Sequence, residues 1–166
     1  MVVVVTALAG CAAPPSFPPP PDGVLRIAVA QPANRTGDDL IVYGPGLLQR
    51  VLKQDVVTVP DLLAEDLRTG LTRQGFRVVE PGANAPLLRT DILRWQPYTA
   101  DYETVTVDLT VSLVEQEGGR ELWKATRSDW VVPTISAGSR HEAMIAASAA
   151  IVDALLEGWR PAARAP

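Results

Sequence analysis

A single cysteine and a single histidine stand among 166 residues, and their scarcity excludes a good deal of chemistry. One cysteine cannot close an intrachain disulfide, nor make a CxxC pair or a zinc-type cluster. One histidine, His141, rules out zinc sites that need two. A positive excess is also missing: the net charge is -4, so a nucleic-acid footprint would have to be very local, and no nucleic-acid partner is expected. Gly44 and Gly46 are not followed by GK[ST], which removes a phosphate loop. No internal repeat is evident. What is present is 47% hydrophobic residues in a chain of one-domain length, enough for a packed core rather than wholesale disorder.

The apolar run Val2–Ala9 is far shorter than the about 20 residues of a membrane-spanning helix. It suits the apolar centre of a secretory signal, about 7 to 15 residues followed by small ones. The charged start of such a signal is lacking, since the first basic residue is Arg26. Either the signal is atypical, or Met1 lies inside a longer one. The run ends in Leu8-Ala9-Gly10-Cys11, and a proline tract follows with Pro14, Pro15 and Pro18 to Pro21. Prolines there prevent regular helix or sheet and favour an extended spacer. The alternative is an N-terminal edge strand at Met1–Val5 with Cys11 as an inert core thiol.

The LAGC tetrapeptide resembles the bacterial lipoprotein signal, in which the cysteine becomes the mature N-terminus and carries lipid. That resemblance implies a membrane anchor through acyl chains on Cys11, and stable anchoring generally takes more than one chain. It further implies the periplasmic face of the outer membrane, because Ala12 rather than aspartate follows the cysteine. The chain then divides into a signal and acylation cysteine (1–11), a proline-rich spacer (12–23), one domain (24–160) and a fraying tail (161–166).

Along the domain, 24–31 reads as a strand with Leu25, Ile27 and Val29 or their neighbours inward. PANRTGDD (32–39) reads as a solvated turn; Asp38 and Asp39 lack the further oxygen ligands and closing glutamate of a calcium loop. Residues 41–59 hold two short strands broken by Gly44, Pro45 and Gly46. Thr58 and Asp61 form a capping box ahead of a helix over 58–75, with Leu63, Leu67 and Leu71 on one stripe and Gly75 as its C-cap. Strands follow at 76–80 and 87–95, the second ending before Pro97. In 103–115, Val105, Val107, Leu109, Val111 and Leu113 share a dry face, and Thr104, Thr106, Asp108, Thr110 and Ser112 a wet one. A Gly118-Gly119 turn returns the chain as a hairpin partner at 121–132. Ser139 and Glu142 start the last helix, whose stripe reads Ile145, Ser148, Ile151, Val152, Leu155, Leu156 and Trp159. The expected fold is α+β: a two-layer sandwich, its sheet mixed or antiparallel, with both amphipathic helices on the dry face.

For chemistry, His141 falls in the first turn of that last helix with no nucleophile motif to serve, and reads as solvated. Asp101, Glu103 and Asp108 could pair through space as an envelope glycan hydrolase would require. Trp95, Tyr98, Tyr102, Trp123 and Trp130 either line a groove for lipid or polymer or form the sheet core and its rim. No catalytic residue, metal or cofactor is expected.

The order of elements from 24 to 159, with Val42-Tyr43-Gly44 before the leucine-striped helix, resembles the auxiliary lipoproteins of ABC-type transport systems. NRTGDD at 34–39 and the joint Gly75-Phe76-Arg77-Val78 are similar to periplasmic lipoproteins sharing the α+β domain of Tol-system and curli-secretion proteins. The resemblance implies an accessory role in envelope transport or assembly, with transporter or secretion proteins as partners, and hands over no catalytic residues. Tyr43, Leu47, Tyr98 and Tyr102 are the expected contact residues for protein docking. Leu47, Leu48, Val51 and Leu52 read equally as a contact surface or as a short helix completing the core. A lipid carrier with an apolar pocket is the alternative.

Overall fold

The computed structural model describes residues 17–42, 57–98, 102–134 and 137–161. Eight strands and two helices are found in them: β1 Arg26–Val29, β2 Ala33–Asn34, β3 Ile41–Val42, β4 Val57–Thr58, α1 Val59–Arg73, β5 Arg77–Val79, β6 Leu87–Pro97, β7 Thr104–Val114, β8 Glu121–Pro133 and α2 Arg140–Leu156. The main sheet runs β5-β1-β6-β7-β8, with β2 added alongside β6, and β3 pairs with β4 separately. β1 is parallel to both β5 and β6, while β6, β7 and β8 form an antiparallel meander. The sheet is therefore mixed. Both helices pack on one face of it, giving the α+β sandwich expected from the sequence.

The strict alternation of β7 decides which face that is. Val105, Val107, Leu109, Val111 and Leu113 are all buried against the helices. Their outward neighbours Thr104, Thr106, Asp108, Thr110 and Ser112 are half-buried rather than fully wet, because β6 and β8 flank them. Thr110 and Thr126 hydrogen-bond across that outer face at 3.0 Å, a favourable cross-strand pair. β1 does not alternate: Ile27, Ala28 and Val29 are all buried, and Leu25, expected inside, is exposed. Its short apolar run is thus buried without a break between β5 and β6.

α1 begins and ends on local signals. Asp61 accepts from the Thr58 amide at 2.9 Å and the Thr58 hydroxyl accepts from the Asp61 amide at 3.4 Å, closing the capping box. At the other end Gly75 sits at φ 94°. Its amide donates to Thr72 O and the Phe76 amide to Leu71 O, each at 3.0 Å. This is a Schellman ending, which needs the left-handed residue glycine supplies. α2 starts at Ser139, whose hydroxyl accepts from the Glu142 amide at 3.3 Å. The Glu142 carboxylate accepts from the Gly138 amide at 2.6 Å, one residue ahead of the capping-box target.

The helices touch along ascending positions: Ser148 donates to Asp66 at 2.6 Å, and Arg73 meets Asp153 at 3.4 Å. They therefore lie side by side and run in the same direction. Gly70 faces α2 closely, for an added Cβ there would stand 2.7 Å from Leu156 Cδ1 and 2.8 Å from Val152 Cγ1. The buried stripe of α2 pairs Ala143 with Met144, Ala147 with Ser148, Ile151 with Val152, and Leu155 with Leu156. Ile145, expected on that stripe, is 42% exposed. Small residues let α2 approach both the sheet and α1, which turns Ile145 outward.

One strand end also differs from expectation. β6 continues through Pro97, which pairs with Val105. Beyond Ile92 no described strand flanks the other side of β6, so a missing N–H there costs no ladder bond. Phe17, within the tract expected to be spacer, is 3% exposed and belongs to the core. Its ring lies 5.7 Å from that of Trp130, with Arg127 Cζ 4.7 Å from its centroid.

Candidate functional site

The outer sheet face carries the densest polar cluster among the described residues. A bulge at Leu93 shifts the register of β6 and presents Arg94 beside Asp108 of β7. A second irregularity places Asp129 of β8 at φ 52°, in the left-handed region. Aspartate tolerates that region better than most residues, and the Asp129 amide donates to Asp108 Oδ1 at 2.6 Å. Arg94 Nη2 donates to Asp108 Oδ1 at 2.8 Å and also to the Asp129 carboxylate. The Arg94 hydrogen bond holds Asp108 below the usual aspartate range, and the two carboxylates push the guanidinium upward. A carboxylate so paired stays ionised and is poorly suited to donate a proton.

A cavity of about 550 Å³ adjoins this cluster, lined by Thr36, Asp38, Leu93, Gln96 and the Arg94–Asp108 pair. Its rim is the turn after β2, which ties itself together. Asn34 Oδ1 accepts from the Thr36 amide at 3.0 Å, and Asn34 Nδ2 donates to Asp38 O at 2.6 Å. Arg35 pairs with Asp91 at 3.1 Å. Among the described residues no group of three or more His, Cys, Asp or Glu side chains could hold a metal ion.

The far end of the sheet has a second cavity, about 480 Å³, between the β5–β6 turn (82–86) and the β7–β8 hairpin. Gln116 joins its walls. Its Nε2 donates to Ala83 O and Ala85 O at 2.7 Å each, and its Oε1 accepts from the Gly82 amide at 2.6 Å. Glu115 on the same hairpin is held below the usual glutamate range by its hydrogen bond from Arg120. These walls are backbone and paired charge.

Cys11, Tyr43, Leu47 and Asp101 lie outside the described residues. Tyr98 is 57% exposed at the end of β6, its amide donating to Thr104 O at 2.8 Å. Tyr102 is half-buried against the core at φ 58°, with its carbonyl accepting the Thr134 hydroxyl. The Tyr102 amide donates to Tyr98 O at 3.2 Å, which brings the two residues together. The tryptophans are core and rim. Trp95 and Trp130 are buried, and Trp123 meets Trp159 edge-on at 5.2 Å. Trp159 in turn meets Phe76 at 6.2 Å. His141 stands in the first turn of α2 as expected and is half-buried, with its Nδ1 buried and without a hydrogen-bond partner among the described residues. Phe17 and Arg94 are not apparent from sequence. The proline tract masks the first, and only pairing across three strands reveals the second.

No family model matches the sequence, and no curated protein matches it. The fold is similar to that of protein XCC0632 from Xanthomonas campestris, described with the family model DUF330. The TM-score is 0.50 at 15% identity, over 84% of this chain and 88% of that one. Similarity is weaker to the PelC dodecamer from Paraburkholderia phytofirmans, with TM-score 0.42, 19% identity, and 87% and 95% of the two chains covered. Lipoprotein GNA1162 from Neisseria meningitidis matches with TM-score 0.44, 15% identity, and 72% and 91% covered. The likeness to XCC0632 is one of fold.

Proposed function

We propose that the chain is a lipid-anchored, non-catalytic accessory lipoprotein of the bacterial envelope, held at the periplasmic face of the outer membrane and working by docking to transport or assembly proteins. The anchor is Cys11, supported by LAGC and the prolines behind it. The observation that carries docking over lipid carriage is the filled space between sheet and helices. Ile27, Leu63, Leu67, Leu88, Leu109, Met144 and Ile151 occupy it, each less than 2% exposed, where a carrier would leave room for an acyl chain. Hydrolysis is disfavoured because Asp108 is committed to Arg94. The contact residues in this reading are Tyr43, Leu47, Tyr98 and Tyr102, and the exposed ring of Tyr98 is an amphipathic anchor of the kind interfaces favour.

Two experiments test the two halves. Cells expressing the full-length gene are labelled with a radioactive fatty acid, comparing wild type with Cys11→Ser. Label on wild type alone supports the anchor; equal labelling ends it. Photo-cross-linkers at Tyr43, Leu47, Tyr98 and Tyr102 in native envelopes are then followed by mass spectrometry. Adducts to a transporter or secretion component support docking, and lipid adducts alone point to a carrier. Glycan hydrolysis lost in Asp101→Asn or Glu103→Gln would overturn the non-catalytic reading.

A further inference from the structure

We propose that the open stretch of β6 beyond β2 is a slot for an extended, lysine- or arginine-bearing segment of a partner protein, which joins the sheet as an added strand, a role that rests on the docking reading above. The slot follows from register. On one side β6 is flanked by β1 and then by β2 as far as Ile92, whose carbonyl accepts the Arg35 amide at 2.8 Å. On the other side β7 pairs with it through Pro97. Along an antiparallel pair, hydrogen-bonded and non-hydrogen-bonded residues alternate. The Tyr98 amide donates to Thr104 O at 2.8 Å, so Tyr98 and Gln96 turn their main chain toward β7. Trp95 and Pro97 turn theirs to the open side. The Trp95 N–H, the Trp95 carbonyl and the Pro97 carbonyl therefore stand on an edge that no described strand covers. Unpaired main-chain groups in a row are a template for a further strand.

Space and charge select the occupant. The cavity of about 550 Å³ lies on this edge, since Leu93, Arg94, Trp95 and Gln96 all line it, together with Thr36 and Asp38. Its size falls within the about 300–1,000 Å³ of pockets that enclose a ligand. The turn that rims it leaves the edge of β6 alone because its polar groups satisfy one another. The Asp38 amide donates to Thr36 Oγ1 at 3.1 Å, and Asn34 holds both the Thr36 amide and Asp38 O. Leu93 to Pro97 covers about 13 Å, room for about five residues of added strand. Asp38, Asp108 and Asp129 outnumber Arg94 at this place, and the exposed Asp38 carboxylate has no ion pair among the described residues. Side chains of an added strand alternate between faces, so basic residues at every second position line up with the outer-face carboxylates. Arg94 Nε, buried and without a partner among the described residues, supplies one more donor beside the slot.

The test uses the full chain in solution and reads amide hydrogen exchange residue by residue by NMR. In the free chain the Trp95 amide should exchange much faster than the Gln96 amide, which β7 holds. Equal protection of the two would mean that the edge is already covered, and would overturn the slot. The probe is a capped synthetic peptide of alternating valine and lysine, about seven residues long. At about 1 mM it should slow exchange at Trp95; unchanged exchange would also overturn the slot. A counterpart with glutamate for lysine should bind at least about tenfold more weakly, and equal binding would refute the choice of a basic segment. Of two copies N-methylated at the lysines or at the valines, one should bind about tenfold more weakly; undiminished binding of both would exclude strand addition. Asp38→Asn should weaken the lysine peptide by about two- to fivefold with an unchanged urea midpoint; an unchanged affinity would count against the charge argument. Failure here alongside protein cross-links from Tyr98 in envelopes would leave docking standing through another surface. Peptide binding here alongside lipid adducts alone in envelopes would remove the docking reading and leave the slot.

Discussion

Replacing Gly70 by alanine sets two known effects against each other. In a helix interior, alanine is favoured over glycine by about 1 kcal/mol. At Gly70 the new methyl would stand 2.7 Å from Leu156 Cδ1 and 2.8 Å from Val152 Cγ1, whereas carbon atoms pack at about 3.5–4.0 Å. Roughly 1 Å of separation must be found. The helices cannot simply part, because the Ser148–Asp66 hydrogen bond ties them one turn away and the sheet backs both. Overpacking of this kind costs about 1–3 kcal/mol. The net expectation for Gly70→Ala is a loss of about 1 kcal/mol, which lowers Tm by about 2–4 °C in a domain of this size. Urea denaturation followed by circular dichroism reads it as a lower midpoint with unchanged slope. Adding Val152→Ala removes one of the clashing methyls, so the double variant should lose less than the sum of its parts. A Gly70→Ala protein more stable than wild type would refute the reasoning, since propensity would then be acting with no steric opposition.

Thr58→Ala removes the hydroxyl of the α1 capping box and should cost about 1 kcal/mol by the same denaturation assay, with Thr58→Ser retaining most of the stability. On α2, Ile145→Ala should change stability by less than about 0.5 kcal/mol, while Met144→Ala, one residue earlier and buried, should cost about 2–5 kcal/mol; similar losses would mean that α2 is rotated from the orientation described. Asp61 is held low chiefly by the Thr58 hydroxyl and Asp108 chiefly by Arg94. Depressed folded-state values contribute stability that is complete above the unfolded value of about 3.9 and lost as pH falls through the folded value. Urea midpoints should therefore fall below about pH 4, and Asp108→Asn should show a shallower acid fall; a slope as steep as wild type would contradict the pairing.

The features legible in the sequence are those written locally. The Val/Leu alternation of β7, Thr58 three residues before Asp61, and Gly75 after the leucine stripe each specify geometry within a few residues, and the structure follows them. Ile145 misleads because α2 is apolar or small almost all round, so periodicity alone cannot choose its buried side. Leu25 precedes the first paired residue of β1, so the pattern of that strand does not govern it. The Arg94–Asp108–Asp129 cluster needs two register shifts on strands far apart in sequence, which no local pattern announces. Phe17 stands alone among prolines, and only its packing against Trp130, distant in sequence, gives it a place.

β1 is inserted between β5 and β6, and this arrangement bears on the order in which the molecule is assembled. β6, β7 and β8 follow one another closely in sequence and can zip together with little loop-closure entropy. β1 pairs residue for residue with Arg77–Val79 and with Leu87–Leu88, both of which lie beyond α1. β1, the first of the described strands, therefore has no partners in the main sheet until α1 and β5 have followed it. Ile27 and Val29 remain uncovered during that interval, and closure of the sheet is a late, non-local step. A chain cut short before β6 would leave β1 without the strand that covers its inner side, which makes incomplete copies of this protein candidates for aggregation rather than partial function.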